Sequence, residues 1–148
     1  CASGNYRLSE LAATLGCEQM ARLPEMVRER NVLAARYDAA LPQLSRQRPI
    51  SPAVLRNHQT YGVVLPDGAP RDRIVETLRA RGIETARLSY TLHTLPQFAR
   101  SAEQAERAGR SFEHASRLAE QGLALPLWPG LSEAEQHEVI ATLRDVLK

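Results

Sequence analysis

The stretch Leu123-Ala124-Leu125-Pro126-Leu127-Trp128-Pro129-Gly130-Leu131-Ser132-Glu133-Ala134-Glu135 decides the class of fold. Its opening run, Leu123 to Leu127, is apolar and too short for a helix, so it reads as a strand. Pro126 inside that run points to a sheet edge, because proline has no N–H to give to a ladder. Ser132 and Glu135 then stand at the spacing of a capping box. Beyond them Val139, Ile140, Leu143, Val146 and Leu147 recur on one helical face. A strand leading into a well-marked helix is part of an α/β unit.

Working back towards the N-terminus, the same grammar repeats. Residues 111–121 predict a helix with Ala115, Leu118 and Ala119 inward, ended by Gly122. Ile83 to Ser89 predicts a strand. Asp72 to Arg81 predicts a short helix carrying Ile74 and Leu78 and closed by Gly82. Thr60 to Leu65 predicts another strand, followed by Pro66-Asp67-Gly68 turn chemistry. Gln47 to Pro52, with two prolines, is a connector. The opening 45 or so residues are helical: Leu8, Leu11, Ala12 and Leu15 fall at helical spacing, with Ser9 and Glu10 as start signals. Leu23, Val27, Ala34, Tyr37 and Leu41 continue an apolar face. Pro24 makes this either two helices or one long kinked helix. The expected architecture is α/β, with residues 1–50 as a helical arm and residues 51–148 as a small sheet with helices packed on it.

Composition excludes several classes of function. With 148 residues, 43% hydrophobic and 24% charged, the chain has the make-up of one soluble globular domain. No run approaches the length of a membrane span, and no signal peptide is visible, so a cytoplasmic location and no membrane partner are the default expectation. The chain begins at Cys1 and not at Met, as a processed, cut or excerpted chain would. Cys17 is the other cysteine, and it is expected as a small buried residue on a helix. Of the 19 basic residues one is lysine, Lys148. The arginines alternate with acids, as in Arg28-Glu29-Arg30 and Arg71-Asp72-Arg73, and aromatic residues are 5%. No basic stripe with stacking residues results, which argues against nucleic acid.

The chemistry-bearing residues are scattered. His58, His93, His114 and His137 show no metal-site spacing. His114 and His137 lie among polar helix neighbours as surface residues, and His58 precedes a strand as a structural residue. His93 differs, because Ser89 to Pro96 is an irregular segment between a strand and a helix, where sites concentrate. No phosphate loop and no nucleophile elbow is present. Asn5-Tyr6-Arg7, just ahead of a helix start, offers an amide, a phenol and a guanidinium to an anion. Spacing alone leaves open an Asn that merely turns the chain and an Arg on the surface.

These pieces together resemble a family. Gly4-Asn5-Tyr6-Arg7-Leu8-Ser9, with Ala12-Ala13-Thr14-Leu15-Gly16 after it, is similar to the opening segment of the C-terminal part of DegT/StrS-type sugar aminotransferases. The likeness continues at Gln19 to Leu23, Arg36 to Leu41 and Arg81-Gly82-Ile83. Tyr90 and His93 resemble a Tyr-x-x-His site loop, and Leu125 to Gln136 resembles the family's ending. The resemblance runs from about residue 3 to the C-terminus.

The resemblance implies the C-terminal small domain of a fold-type I enzyme that depends on pyridoxal 5'-phosphate (PLP) and works as a homodimer. It further implies transfer of an amino group, commonly from glutamate, to a keto sugar linked to a nucleotide. Asn5 would reach the cofactor phosphate of the neighbouring subunit, and Tyr6 and Arg7 would shape the same interface. Tyr90, His93 and Arg87 would approach the substrate. Ser89-Tyr90-Thr91 replaces the more common His-Tyr-Pro, and Gly4-Asn5 is one residue shorter than the usual spacing. The shorter Gly4-Asn5 spacing resembles the cyclitol and aryl-precursor branches of the family.

PLP transamination needs a buried lysine amine. Lys148, at a fraying helix end, does not supply one, and no acidic partner for the pyridinium nitrogen is seen. The segment alone is therefore expected to be inactive, with PLP bound mainly by a large domain absent from this chain. Its expected partners are that large domain, a second copy of the enzyme, the amino donor and the keto-sugar acceptor. The alternative is a stand-alone, non-catalytic remnant acting as an interaction module.

Overall fold

A computed structural model describes residues 8–44 and 55–148. Helix α1, Glu10–Ala40, is one uninterrupted element of 31 residues. Ser9 caps it, accepting from the Ala12 amide at 3.3 Å. Pro24 lies inside α1, so it neither starts a second helix nor divides the first. It forgoes the single bond that its N–H would have made.

The two ends of α1 meet different surroundings. Leu33, Ala34 and Tyr37 are buried, and Leu41 and Leu44 follow them into the core. Leu8, Leu11 and Leu15, expected to pack, are instead 71%, 83% and 61% exposed. Met20 and Leu23 are exposed too. Cys17 is a free, exposed thiol and not a buried residue. The apolar face is real as a pattern, but in its first half no other described residue of this chain covers it.

The sheet has three strands in the order β1-β3-β2, where β1 is Tyr61–Val64, β2 is Ala86–Arg87 and β3 is Gly122–Leu125. Both pairings are antiparallel, Tyr61 opposite Leu125 and Ala86 opposite Ala124. β3 is thus central, contrary to the edge position that Pro126 suggested. The ladder ends at Leu125, one residue before the proline, so no N–H is missed. β2 keeps two residues of the predicted 83–89 run.

Helix α2, Arg71–Ala80, buries Ile74 and Leu78 and ends on Gly82 at φ +77°. The Gly82 and Ile83 amides return to Arg79 and Leu78 carbonyls at 2.9 Å each. Helix α3, Ala99–Arg107, was not anticipated from the sequence. Helix α4, Glu113–Gln121, buries no residue fully, and Leu118, predicted inward, is 43% exposed. Helix α5, Glu133–Val146, carries the expected capping box, with Glu135 accepting from the Ser132 amide at 2.8 Å. Val139, Ile140 and Leu143 join the core with Tyr61, Val63, Leu123 and Leu125, while Val146 and Leu147 are half-buried against it. Gln136, fully buried in that helix, donates to the Leu33 carbonyl at 2.7 Å and so ties α5 to α1.

Candidate functional site

The segment after β2 leaves the sheet and turns twice, at Leu92–Thr94 and Pro96–Phe98, before α3 begins. Tyr90 and His93 lie on this segment, and Arg87 is the last residue of β2 just ahead of it. Arg87 sits over the Tyr90 ring with its guanidinium carbon 5.7 Å from the centroid. A cation over an aromatic face is attracted by the ring quadrupole, so the two side chains hold one another up from the surface. Tyr90 is 74% exposed. That exposure suits a residue that contacts something outside this chain.

His93 is set differently. Its ring stacks on Phe112 at 4.5 Å between centroids and 11° between planes. Its Nε2 lies 3.2 Å from Ser116 Oγ. The turn beneath it is pinned by Thr91, which is buried: the Thr91 and Thr94 hydroxyls are 2.8 Å apart, and Thr94 also donates to the Thr91 carbonyl at 2.9 Å. An apolar recess of about 230 Å³ adjoins the ring, with Phe98 and α3 residues Ala102 and Ala105 among its walls. Ser116 and Phe112 were missed by the sequence reading. They lie on a later element, and only the folded chain brings them to the loop.

Arg87 also belongs to a wider charged group. Arg71, buried at the start of α2, donates to Asp72 at 2.8 Å and to the Ala119 carbonyl near the end of α4. The Arg71 guanidinium holds the Asp72 carboxyl below its ordinary range, and Arg87 adds to that pull. Arg71 and Asp72 offset one another, which leaves the Arg87 guanidinium as the cation of this group. The close seat of β3 against α4 and Leu88 depends on glycine. A Cβ on Gly122 would run into the Leu118 carbonyl, and one on Gly62 would come within 2.5 Å of Leu88.

His58 stands apart, ahead of β1, in a hollow of about 570 Å³ lined by residues 55–60. Its φ is +41°, in the left-handed region that non-glycine residues rarely adopt. Burial lowers its pKa, the Arg56 charge lowers it further, and Asp38 opposes both. His137 and His114 are on the surface, as expected. Asn5, Tyr6 and Arg7 lie outside the described residues.

The fit to PLP can be tested on the one lysine. Lys148 is 78% exposed and paired with Asp145 at 3.1 Å. An exposed, hydrated ammonium is not the desolvated amine that the cofactor's aldehyde requires. Among the described residues, then, no buried lysine amine occurs, and no group of three or more metal-ligating side chains occurs. None of the described helices is long and apolar enough to cross a membrane.

The chain thus presents a small antiparallel sheet under helices, with the candidate residues Tyr90 and His93 on the loop that follows β2. The sequence model of the DegT/DnrJ/EryC1/StrS aminotransferase family matches residues 2–144, and the chain belongs to this family. It is 29% identical over 148 residues to the GDP-perosamine synthase of Caulobacter vibrioides, covering 97% of this chain and 38% of that protein. It is 29% identical over 147 residues to dTDP-3-amino-3,4,6-trideoxy-alpha-D-glucose transaminase of Micromonospora megalomicea, with coverage of 97% and 38%. Among solved structures it resembles the aminotransferase TlmJ of Streptoalloteichus hindustanus, with a TM-score of 0.78 and 33% identity over 99% of this chain and 38% of that one. The chain thus spans 38% of the length of the curated relatives named here.

Proposed function

We propose that this chain is the C-terminal small-domain part of a PLP-dependent aminotransferase that moves an amino group from glutamate to a keto sugar carried on a nucleotide. The observation that carries this reading is the family match across residues 2–144 of a chain 38% as long as its relatives, whose one lysine is solvent-exposed. In this reading residues 1–50 are the arm and interdomain helix and residues 51–148 the small domain. A large domain outside this chain holds PLP. Asn5 reaches the cofactor phosphate of a neighbouring subunit in a homodimer, and Tyr6 and Arg7 shape that interface. Arg87, Tyr90 and His93 face the acceptor, and the Arg87 guanidinium suits a diphosphate-bearing substrate. The exposed leucines of α1 are covered by the large domain or by the second subunit.

The test compares the 148-residue chain with a longer protein that includes a family large domain ahead of it. The longer protein should bind PLP and transaminate a GDP- or dTDP-linked keto sugar with glutamate. The chain alone should do neither. Borohydride-trapped PLP on Lys148, with turnover by the short chain, would refute the reading. Within the longer enzyme, Asn5→Ala should weaken PLP retention more than acceptor affinity, by roughly 1.5–3 kcal/mol for a lost bond to a charged group. Unchanged PLP affinity would remove Asn5 from its role.

A further inference from the structure

An imidazole on an exposed turn can rotate about two bonds, and that freedom must be surrendered whenever it binds something. His93 has already surrendered it. Phe112 lies flat against one face of the ring at 4.5 Å, and Ser116 Oγ meets Nε2 at 3.2 Å. Phe112 and Ser116 are four residues apart at the start of α4, where side chains share a face. One helical turn therefore supplies both grips.

The hydrogen bond between Ser116 Oγ and His93 Nε2 can run in either direction, according to the tautomer of the ring. A helical serine hydroxyl commonly donates to the carbonyl four residues back. Here the Phe112 carbonyl receives the Ser116 amide at 2.9 Å, and the hydroxyl is turned to the imidazole. A ring nitrogen with a free lone pair is a better acceptor than a hydroxyl oxygen. With Ser116 donating to Nε2, the neutral ring must carry its proton on Nδ1. Among the described residues Nδ1 has no hydrogen-bond partner.

We propose that Ser116 and Phe112 are positioning residues for His93, fixing its neutral ring as the Nδ1–H tautomer so that Nδ1–H is the donor offered to an oxygen of the keto-sugar acceptor. The proposal rests on the reading of His93 as an acceptor contact. No bond is made or broken in this role; the residues orient a donor.

The experiment has two arms, both in the intact enzyme. In the first, His93→Ala, Ser116→Ala, Ser116→Thr and the double variant His93→Ala/Ser116→Ala are assayed with the keto-sugar acceptor. Ser116→Ala should raise the acceptor KM roughly three- to tenfold, the effect of one lost hydrogen-bond orientation, with kcat little changed. Ser116→Thr keeps the hydroxyl and should restore it, and the double variant should be no worse than His93→Ala. In the second arm, long-range proton–nitrogen spectra of histidine-labelled enzyme, recorded where the ring is neutral, should show Nδ1–H for His93 and a shift towards Nε2–H in Ser116→Ala. A raised KM in His93→Ala beside an unaltered KM and tautomer in Ser116→Ala would overturn the positioning role alone. An unaltered KM in His93→Ala would overturn the acceptor contact beneath it.

Discussion

Tyr37 of α1 and Tyr61 of β1 stack with centroids 4.8 Å apart and planes 28° apart, and each phenol is tied off elsewhere. Tyr37 donates to the Pro126 carbonyl at 2.8 Å, and Tyr61 donates to Asp38 at 2.7 Å. The pair joins the helix to the sheet at the exit of the central strand. Tyr37→Phe should therefore cost about 1 kcal/mol, the net value of one buried hydrogen bond, read as a lower urea midpoint at neutral pH.

The same residue sets an alkaline limit. Burial pushes the Tyr37 phenol well above its ordinary range. The unfolded chain releases that proton near pH 10 while the folded chain keeps it. Stability from this group is complete below about pH 10 and falls as pH rises beyond it. Tyr37→Phe should show a shallower alkaline loss than the native chain, and equal slopes would contradict the burial argument.

His58 contributes on the acid side. Its folded pKa is lowered, so as pH falls through about 6.5 the unfolded chain takes up the proton first and stability declines. Asn tolerates the left-handed backbone at φ +41°, which makes His58→Asn the suitable probe. Its unfolding midpoint should fall less between about pH 7.5 and pH 5 than that of the native chain.

Two glycines should respond oppositely to alanine. At Gly122 the backbone is ordinary, φ −72°, but the new Cβ strikes the Leu118 carbonyl oxygen. The helix end and strand must separate, at a cost of roughly 3 kcal/mol. Gly16 lies within α1 with nothing within 4 Å of an added Cβ. There alanine should raise helical circular dichroism, in line with a propensity gain of about 1 kcal/mol.

The uncovered end of α1 gives a further test. Leu11→Ser and Leu15→Ser should leave the chain's unfolding free energy within about 0.5 kcal/mol of the native value. Leu33→Ser, at a position 4% exposed, should cost roughly 3 kcal/mol or more.

Local signals were legible where a single element settles them. The capping box of Ser132 and Glu135, the Gly82 exit of α2 and the surface placement of His137 could be seen in the sequence. What the sequence withheld are facts about neighbours. Leu11 and Ala34 both fall on the apolar face read from the sequence, and only the packing of the later chain against the second half of α1 decides which is buried. Pro126 suggested an edge because the end of the ladder, one residue earlier, has no local mark. His93 stood out by its irregular loop, yet its ring is held by Ser116, 23 positions away. No periodicity reports such a pairing.

The order β1-β3-β2 also constrains how the chain comes together. Tyr61 waits for Leu125 and Ala86 waits for Ala124, so neither outer strand finds its mate until the last of the three has been synthesised. Nascent chains stopped before Gly122 should expose β1 and β2 as single strands, and non-local pairing of this kind slows assembly. Formation of the native sheet thus waits on the four residues of β3, to which both outer strands pair.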